Sequence, residues 1–261
     1  MTNIWRILKY INYLLNSIHL HGIHSPFVFN LNRSIFQEKI PFYCFEEIES
    51  LRAKLQLTHK KIEVIDLGAG SRKNNKNERK ISSISKSALK DPKNAQLIFR
   101  LIYEFKPQNI LEIGTSFGLT TAYMAKANPS AEITSIEGSP QIAKIAKVNY
   151  KKLNINNIEV VNAPFDDVLE EIINSKKTLD FVFFDGNHQK KPTIDYFEKC
   201  LKKANPDSIF IFDDIYWSRE MHAAWNEIQK HPQVSISIDL FQMGILFFKT
   251  DQAKEHFTVY H

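Results

Sequence analysis

Four residues in the last third of the chain carry side chains suited to moving a proton or holding a cation. Asp185 and His188 lie in Phe183-Phe184-Asp185-Gly186-Asn187-His188, and Asp213 and Asp214 follow Ile211-Phe212. Each group ends a short apolar run of the kind that forms a buried strand. Carboxylates at adjacent strand ends repel one another unless a cation or a proton joins them. Hard oxygen donors suit magnesium, which needs few protein ligands and keeps several waters. Asp185, Asp213 and Asp214 are therefore candidate metal ligands. The competing reading caps the next helix with one aspartate and leaves the other solvated. Histidine titrates near neutral pH, so His188 can take a proton from a hydroxyl, or serve as a structural side chain.

A second constellation lies upstream, in Ile110-Leu111-Glu112-Ile113-Gly114-Thr115-Ser116-Phe117-Gly118. A short apolar stretch runs into two glycines, and a helix pattern starts at Gly118. Glycine lets backbone turn sharply and approach a ligand with no Cβ between them. The first N–H groups of the helix have no partner within it and are offered to polar atoms of a ligand. Glu137 ends the next strand pattern, 23 positions after Gly114. An acid there can accept two hydrogen bonds from a ribose diol. Ala163 and Phe165, in Asn162-Ala163-Pro164-Phe165, follow the third strand and offer apolar surface for a base.

These residues need a scaffold that repeats. From Asp91 onward strand and helix patterns alternate: helix to about Phe105, strand 109–113, helix 118–127, strand 132–136, helix 140–151, strand 157–161, helix 166–175, strand 179–184, helix 191–203, strand 207–212 and helix 217–229. Asp91-Pro92 and Ser139-Pro140 both read as a cap followed by a first-turn proline. Alternation of this kind predicts a mostly parallel sheet with helices on both faces, with ligands beyond the carboxyl ends of its strands. The end departs from it: strands at 234–240 and 245–249 are joined by too short a link for a crossover helix, so they must be antiparallel.

Residues 1–90 form a helical extension and lid region, and 91–261 the main domain. Ile4, Leu8, Ile11, Leu14, Leu15 and Ile18 recur at helical spacing, with Arg6 and Lys9 off that face. This helix packs on the core or on a second subunit, and its low charge argues against a membrane surface. Further short helices fit 26–37 and 44–56. His21 and His24 stand outside any firm helix and read as a turn. Ile62 to Ser71 imitates a second glycine turn after a strand, but no apolar helix follows, and it reads as an extra strand or lid near the site. The basic stretch from Arg72 to Lys80 reads as a solvated loop.

Composition sets outer limits. The chain has 261 residues, a net charge of +5 and 43% hydrophobic residues, which fits a globular protein. No apolar run approaches the roughly 18 residues that span a bilayer, and no signal-peptide pattern is present. Cys44 and Cys200 are too few for a disulfide framework, which fits a cytoplasmic protein.

On Glu112, Gly114, Glu137, Asp185, Asp213-Asp214 and the antiparallel tail, the chain resembles the class I S-adenosylmethionine-dependent methyltransferases over about residues 91–250. It is most similar to the catechol and caffeoyl-coenzyme A O-methyltransferases. The resemblance implies a Rossmann-like, seven-stranded sheet and S-adenosyl-L-methionine held by Glu112, Gly114, Thr115, Ser116, Gly118, Glu137, Ala163, Phe165 and Asp185. It implies Asp185, Asp213 and Asp214 at magnesium, catalysis by Asp185 and His188, and O-methylation of a small-molecule hydroxyl. That family has Asn at the position of Asp214 and a catalytic Lys at the offset of His188, while its tryptophan matches Trp217. The alternatives are an RNA methyltransferase, for which the basic run is small and the sequence after the fourth strand wrong, or a non-catalytic scaffold on the same fold. A homodimer is compatible with the N-terminal helix.

Overall fold

The computed structural model describes residues 2–18, 22–65 and 76–261. His21, the glycine turn at 66–71 and the first part of the basic run lie outside the described residues. The chain divides into two compact units, residues 39–170 and residues 1–38 with 171–261. The boundary expected at 90/91 marks where the family resemblance starts; packing divides the chain elsewhere.

In the unit formed by 39–170, α3 (Tyr43–Gln56) is followed by β1 (Lys61–Ile65), β2 (Lys76–Lys80), α4 (Ile81–Ser87) and α5 (Pro92–Phe105). β1 and β2 pair antiparallel, Lys61 opposite Lys80 and Ile65 opposite Lys76. β1 is the extra strand expected there. Polar, lysine-rich β2 has no strand pattern of its own, and it is a strand only because β1 supplies its partner. α5 starts as its sequence dictates: Asp91 accepts from the Asn94 N–H at 3.1 Å and Pro92 opens the first turn. Then β3 (Asn109–Ile113), α6 (Leu119–Ala127), β4 (Glu132–Glu137), α7 (Pro140–Lys152) and β5 (Ile158–Asn162) alternate. β3, β4 and β5 are parallel, with Ile113 beside Ile136 and Glu137 beside Asn162. That register puts the ends of all three strands at one edge.

In the other unit, α1 (Thr2–Asn16) and α2 (Pro26–Leu31) precede a π-helical turn at Asn32–Phe36. After α8 (Phe165–Ser175), which crosses the boundary, come β6 (Phe181–Phe184), α9 (Lys190–Leu201), β7 (Ile209–Asp213), α10 (Arg219–Ile228), β8 (Ile236–Asp239), β9 (Met243–Phe247) and β10 (Glu255–Thr258). The strand order is β10-β8-β9-β7-β6. β6 and β7 are parallel, and β9 runs antiparallel to both β7 and β8, as its short link required. Phe184 and Phe212 stack across β6 and β7 with ring centroids 4.3 Å apart. β10 adds a strand to the expected seven by pairing parallel with β8. Its segment is too short and polar to signal itself. The chain is thus an α/β protein, mostly parallel, with an antiparallel strand pair near its end.

α1 docks by its aromatic and polar side. Tyr13 is buried and donates to the Val259 carbonyl at 2.6 Å, and Tyr10 meets Phe241 edge-on at 4.8 Å. Trp5 packs edge-on against His222 at 5.8 Å, while Tyr216 stacks on the same imidazole at 4.5 Å. Burial, helped by the nearby Lys9 ammonium, lowers the His222 pKa from 6.5 to about 4. The unfolded chain takes up this proton near pH 6.5 and the folded chain only near 4. Its contribution is fully present above 6.5 and is lost as pH falls toward 4. Thermal melts of the wild type between pH 7 and 4 should therefore decline more steeply than those of His222→Phe. Parallel curves would show that His222 does not carry this dependence.

Candidate active site

The turn after β3 is built from positive-φ backbone. Gly114 has φ 108°, Ser116 φ 50° and Gly118 φ 77°. Gly114 and Thr115 both donate backbone N–H groups to the Ile136 carbonyl, at 3.1 and 3.2 Å, which pins the turn to the end of β4. Gly118 closes it with an N–H to the Thr115 carbonyl at 2.9 Å and opens α6. A Cβ at Gly118 would fall on the Tyr150 ring, 2.5 Å from Cε1. Asn149, one residue earlier on α7, donates from Nδ2 to the Phe117 carbonyl at 3.0 Å. α7 therefore supports the turn from below. Asn149 and Tyr150 are buried, so a polar residue on the inward stripe of 140–151 was the sequence signal for this support.

Glu112 is fully buried and lies under the turn. Its Oε2 accepts from Thr121 Oγ1 and from Ser135 Oγ, both at 2.5 Å. Ser135 has one proton and gives it to the carboxylate, so the Thr115 hydroxyl, 2.5 Å from Ser135 Oγ, must be the donor in that pair. A line of hydroxyls thus runs from Thr115 to Glu112. Thr121 and Ser135 escaped the sequence reading because a buried carboxylate gives no outward sign of its partners. Through them Glu112 fixes the shape of the turn, with no surface of its own.

Glu137 closes the other side. Its Oε2 accepts from the Ser116 N–H at 2.9 Å and its Oε1 from the Ser139 N–H at 2.9 Å. Each oxygen keeps acceptor capacity for one further donor. Burial raises its pKa above the usual carboxylate value, against the pull of the backbone N–H groups of Ser139, Ser116 and Gly138. At 137 the carboxylate sits beside Asn162, whose Nδ2 donates to the Glu137 carbonyl at 2.6 Å. Ala163 and Phe165 follow, each half-buried. β1 reaches the same neighbourhood: Ile65 N–H lies 3.4 Å from Ser139 Oγ, and Glu63 N–H 3.3 Å from Gln141 Oε1. This unit thus brings Glu112, Gly114, Thr115, Ser116, Gly118 and Glu137 to one strand edge. The set is a tight glycine turn whose N–H groups are bonded within the fold, with the Glu137 carboxylate beside it.

The remaining candidates stand in the other unit. Asp185 and His188 follow β6 and are half-buried. The His188 ring lies 6.5 Å from that of Trp217, which is 52% exposed, and the Arg6 guanidinium from α1 lies over the same indole at 5.8 Å. Arg6 was not anticipated, because its contact depends on how α1 docks. Asp213 is buried, and its Oδ1 accepts from the Asp214 N–H at 2.7 Å. That N–H also reaches the Gln242 carbonyl at 2.8 Å, and Asp214 has φ 52°. Among the described residues no three His, Cys, Asp or Glu side chains stand close enough to hold a metal ion. The magnesium set expected from Asp185, Asp213 and Asp214 is thus not shown by this arrangement, in which Asp213 Oδ1 is engaged by the Asp214 N–H.

Residues 111–215 match the methyltransferase-domain family. The chain is 25% identical over 127 residues to a catechol O-methyltransferase of Niastella koreensis, covering 48% of this chain and 57% of that one. It is 27% identical over 110 residues to a catechol O-methyltransferase of Mycobacterium tuberculosis, covering 41% and 48%. It thus spans about half the length of the curated relatives it matches. The solved O-methyltransferase of Bacillus cereus, in complex with SAH, superposes with a TM-score of 0.56 at 20% identity, over 83% of this chain and 94% of the other. At that identity the superposition establishes the fold. In sequence the chain is similar to catechol O-methyltransferases, as its motifs implied.

Proposed function

We propose, from a chain that carries a methyltransferase domain, that it transfers a methyl group from S-adenosyl-L-methionine to the hydroxyl of a small organic acceptor. The observation that carries this reading is the Glu137 carboxylate, clamped by the N–H groups of Ser116 and Ser139 at the mouth of the glycine turn. It presents two acceptor oxygens at a fixed spacing, the arrangement a ribose diol requires.

When bound, the cofactor supplies an electrophilic methyl carbon on a sulfonium. The chain's task is mainly positioning, since holding two reactants in line removes most of the entropic cost of their meeting. Glu137 accepts the ribose hydroxyls, and the backbone of Gly114 and Thr115 lets the ligand come close. Ala163 and Phe165 flank the base. The resemblance assigns Asp185, on the other unit, to the cofactor's methionine end. His188 would receive the proton that the acceptor hydroxyl loses, and Trp217 would give the acceptor a flat apolar face. The acceptor would be chosen by the N-terminal third and by surface loops.

Calorimetric titration with S-adenosylmethionine and S-adenosylhomocysteine, with and without magnesium, tests the reading. Micromolar binding of both, followed by methylation of a catechol or similar phenol, is the expected result. Absence of binding by either ligand removes the enzyme reading. Binding without turnover across a broad acceptor screen points to a scaffold. A strong magnesium effect supports the three-aspartate site. His188→Ala should lower the rate by roughly a hundredfold, the contribution of a general base, while leaving cofactor affinity unchanged. Equal losses in both would make His188 structural.

A further inference from the structure

An amphipathic helix normally turns its apolar stripe toward the core. α1 does the reverse. Its aromatic and polar residues Trp5, Arg6, Tyr10 and Tyr13 make the contacts with the rest of its unit. Its aliphatic residues point out: Ile4 is 67% exposed, Ile7 58%, Leu8 61%, Ile11 47%, Leu14 40% and Leu15 80%. They recur at i, i+3, i+4, i+7, i+10 and i+11, a single stripe along one side of the helix.

We propose that this stripe is a dimer interface, covered by the same stripe of a second copy of this chain. The first argument is area. Six side chains at these exposures leave on the order of 650 Å² of apolar surface, more than the roughly 300–600 Å² of the largest patch on a typical monomer. Two such faces bury about 1,300 Å², within the range of specific protein interfaces. The second argument is the absence of charge. No acidic or basic residue lies among the exposed positions of α1; Arg6 and Lys9 are half-buried on the docked side. A helix lying on an anionic membrane carries a row of cations along its polar face, and here that face is taken up by protein contacts. At 15 residues α1 is also too short to cross a bilayer, and no helix among the described residues is long and apolar enough to do so. The third is the pattern itself. Under a two-fold axis antiparallel helices exchange Ile4 with Leu15 and Leu8 with Ile11, so the stripe complements itself, as an isologous interface must.

The test is sedimentation velocity of the full chain at micromolar concentration, with Leu8→Glu as the variant. The expected result is a wild-type species at twice the 30.3 kDa chain mass and a variant at least a hundredfold weaker in self-association, with an unchanged melting profile. Should Leu8→Glu unfold, Ile11→Cys replaces it. A short bismaleimide should then link two chains through the new thiol, since Cys44 and Cys200 are buried. A monomeric wild type overturns the proposal. So does a dimer that Leu8→Glu leaves intact, or an Ile11→Cys chain that does not cross-link. Co-sedimentation of a monomer with phosphatidylcholine vesicles would assign the stripe to a lipid surface instead.

Discussion

Gly118→Ala is expected to lower the melting temperature by about 5–15 °C and to abolish measurable binding of S-adenosylhomocysteine. Two costs add. A residue with a Cβ held at φ 77° costs about 1–2 kcal/mol. The new methyl also falls on the ring of the buried Tyr150, an overpacking cost of about 1–3 kcal/mol. For a chain of this length each kcal/mol is worth roughly 2–4 °C. The backbone is the part of the turn a ligand approaches, so a shift here damages binding as well as stability. Tyr150→Leu in the same chain separates the causes. Removing the ring should return the overpacking part and leave the dihedral part, giving a clear coupling between the two sites. An unchanged melting temperature in Gly118→Ala would show that the turn relaxes without cost.

Glu137→Ala is expected to weaken S-adenosylhomocysteine binding by roughly ten- to a hundredfold, the loss of about 1.5–3 kcal/mol that a charged hydrogen-bond partner contributes. The variant also leaves the Ser116 and Ser139 N–H groups without their acceptor. A pH series distinguishes ligand contact from turn geometry. The diol donates to the ionised carboxylate, and burial raises the pKa of that carboxylate. Wild-type affinity should therefore fall on acidification, beginning above the ordinary glutamate value of 4.5. Calorimetry in Glu137→Ala should lack this fall. Unchanged affinity in the variant would place the ribose elsewhere.

What the sequence disclosed and what it hid divide along physical lines. The β3 to β7 alternation was legible because most strands are short apolar runs and most helices, α6 excepted, carry a 3.6-residue stripe, both local signals. The antiparallel β8 and β9 followed from loop length alone. β2, α4 and β10 were missed because they are short and polar, and exist through partners that lie apart in sequence: Ile65 for Lys76, Ile236 for Glu255. At the site, glycines and strand-end acids announced themselves by type and spacing. The supports did not. Thr121, Ser135, Asn149 and Tyr150 act by contact across elements, and the retreat of Asp213 onto the Asp214 N–H could be seen only once the backbone was placed.

The clasp between α1 and the end of β10 has a consequence for the order in which the chain assembles. Tyr13 bonds to Val259, and Ile18 exchanges backbone bonds with Thr258 and Tyr260. These partners are some 240 residues apart, so the loop they close is nearly the whole chain, and its entropy must be met before the contact gives anything back. On a ribosome adding about 5–20 residues per second, α1 emerges some 240 residues before the segment it lands on. For those seconds both its aromatic side and its aliphatic stripe are uncovered on a nascent chain, the condition under which a chaperone is recruited. In pulsed hydrogen exchange during refolding, α1 amides should gain protection last; early protection would mean that the helix finds another surface first.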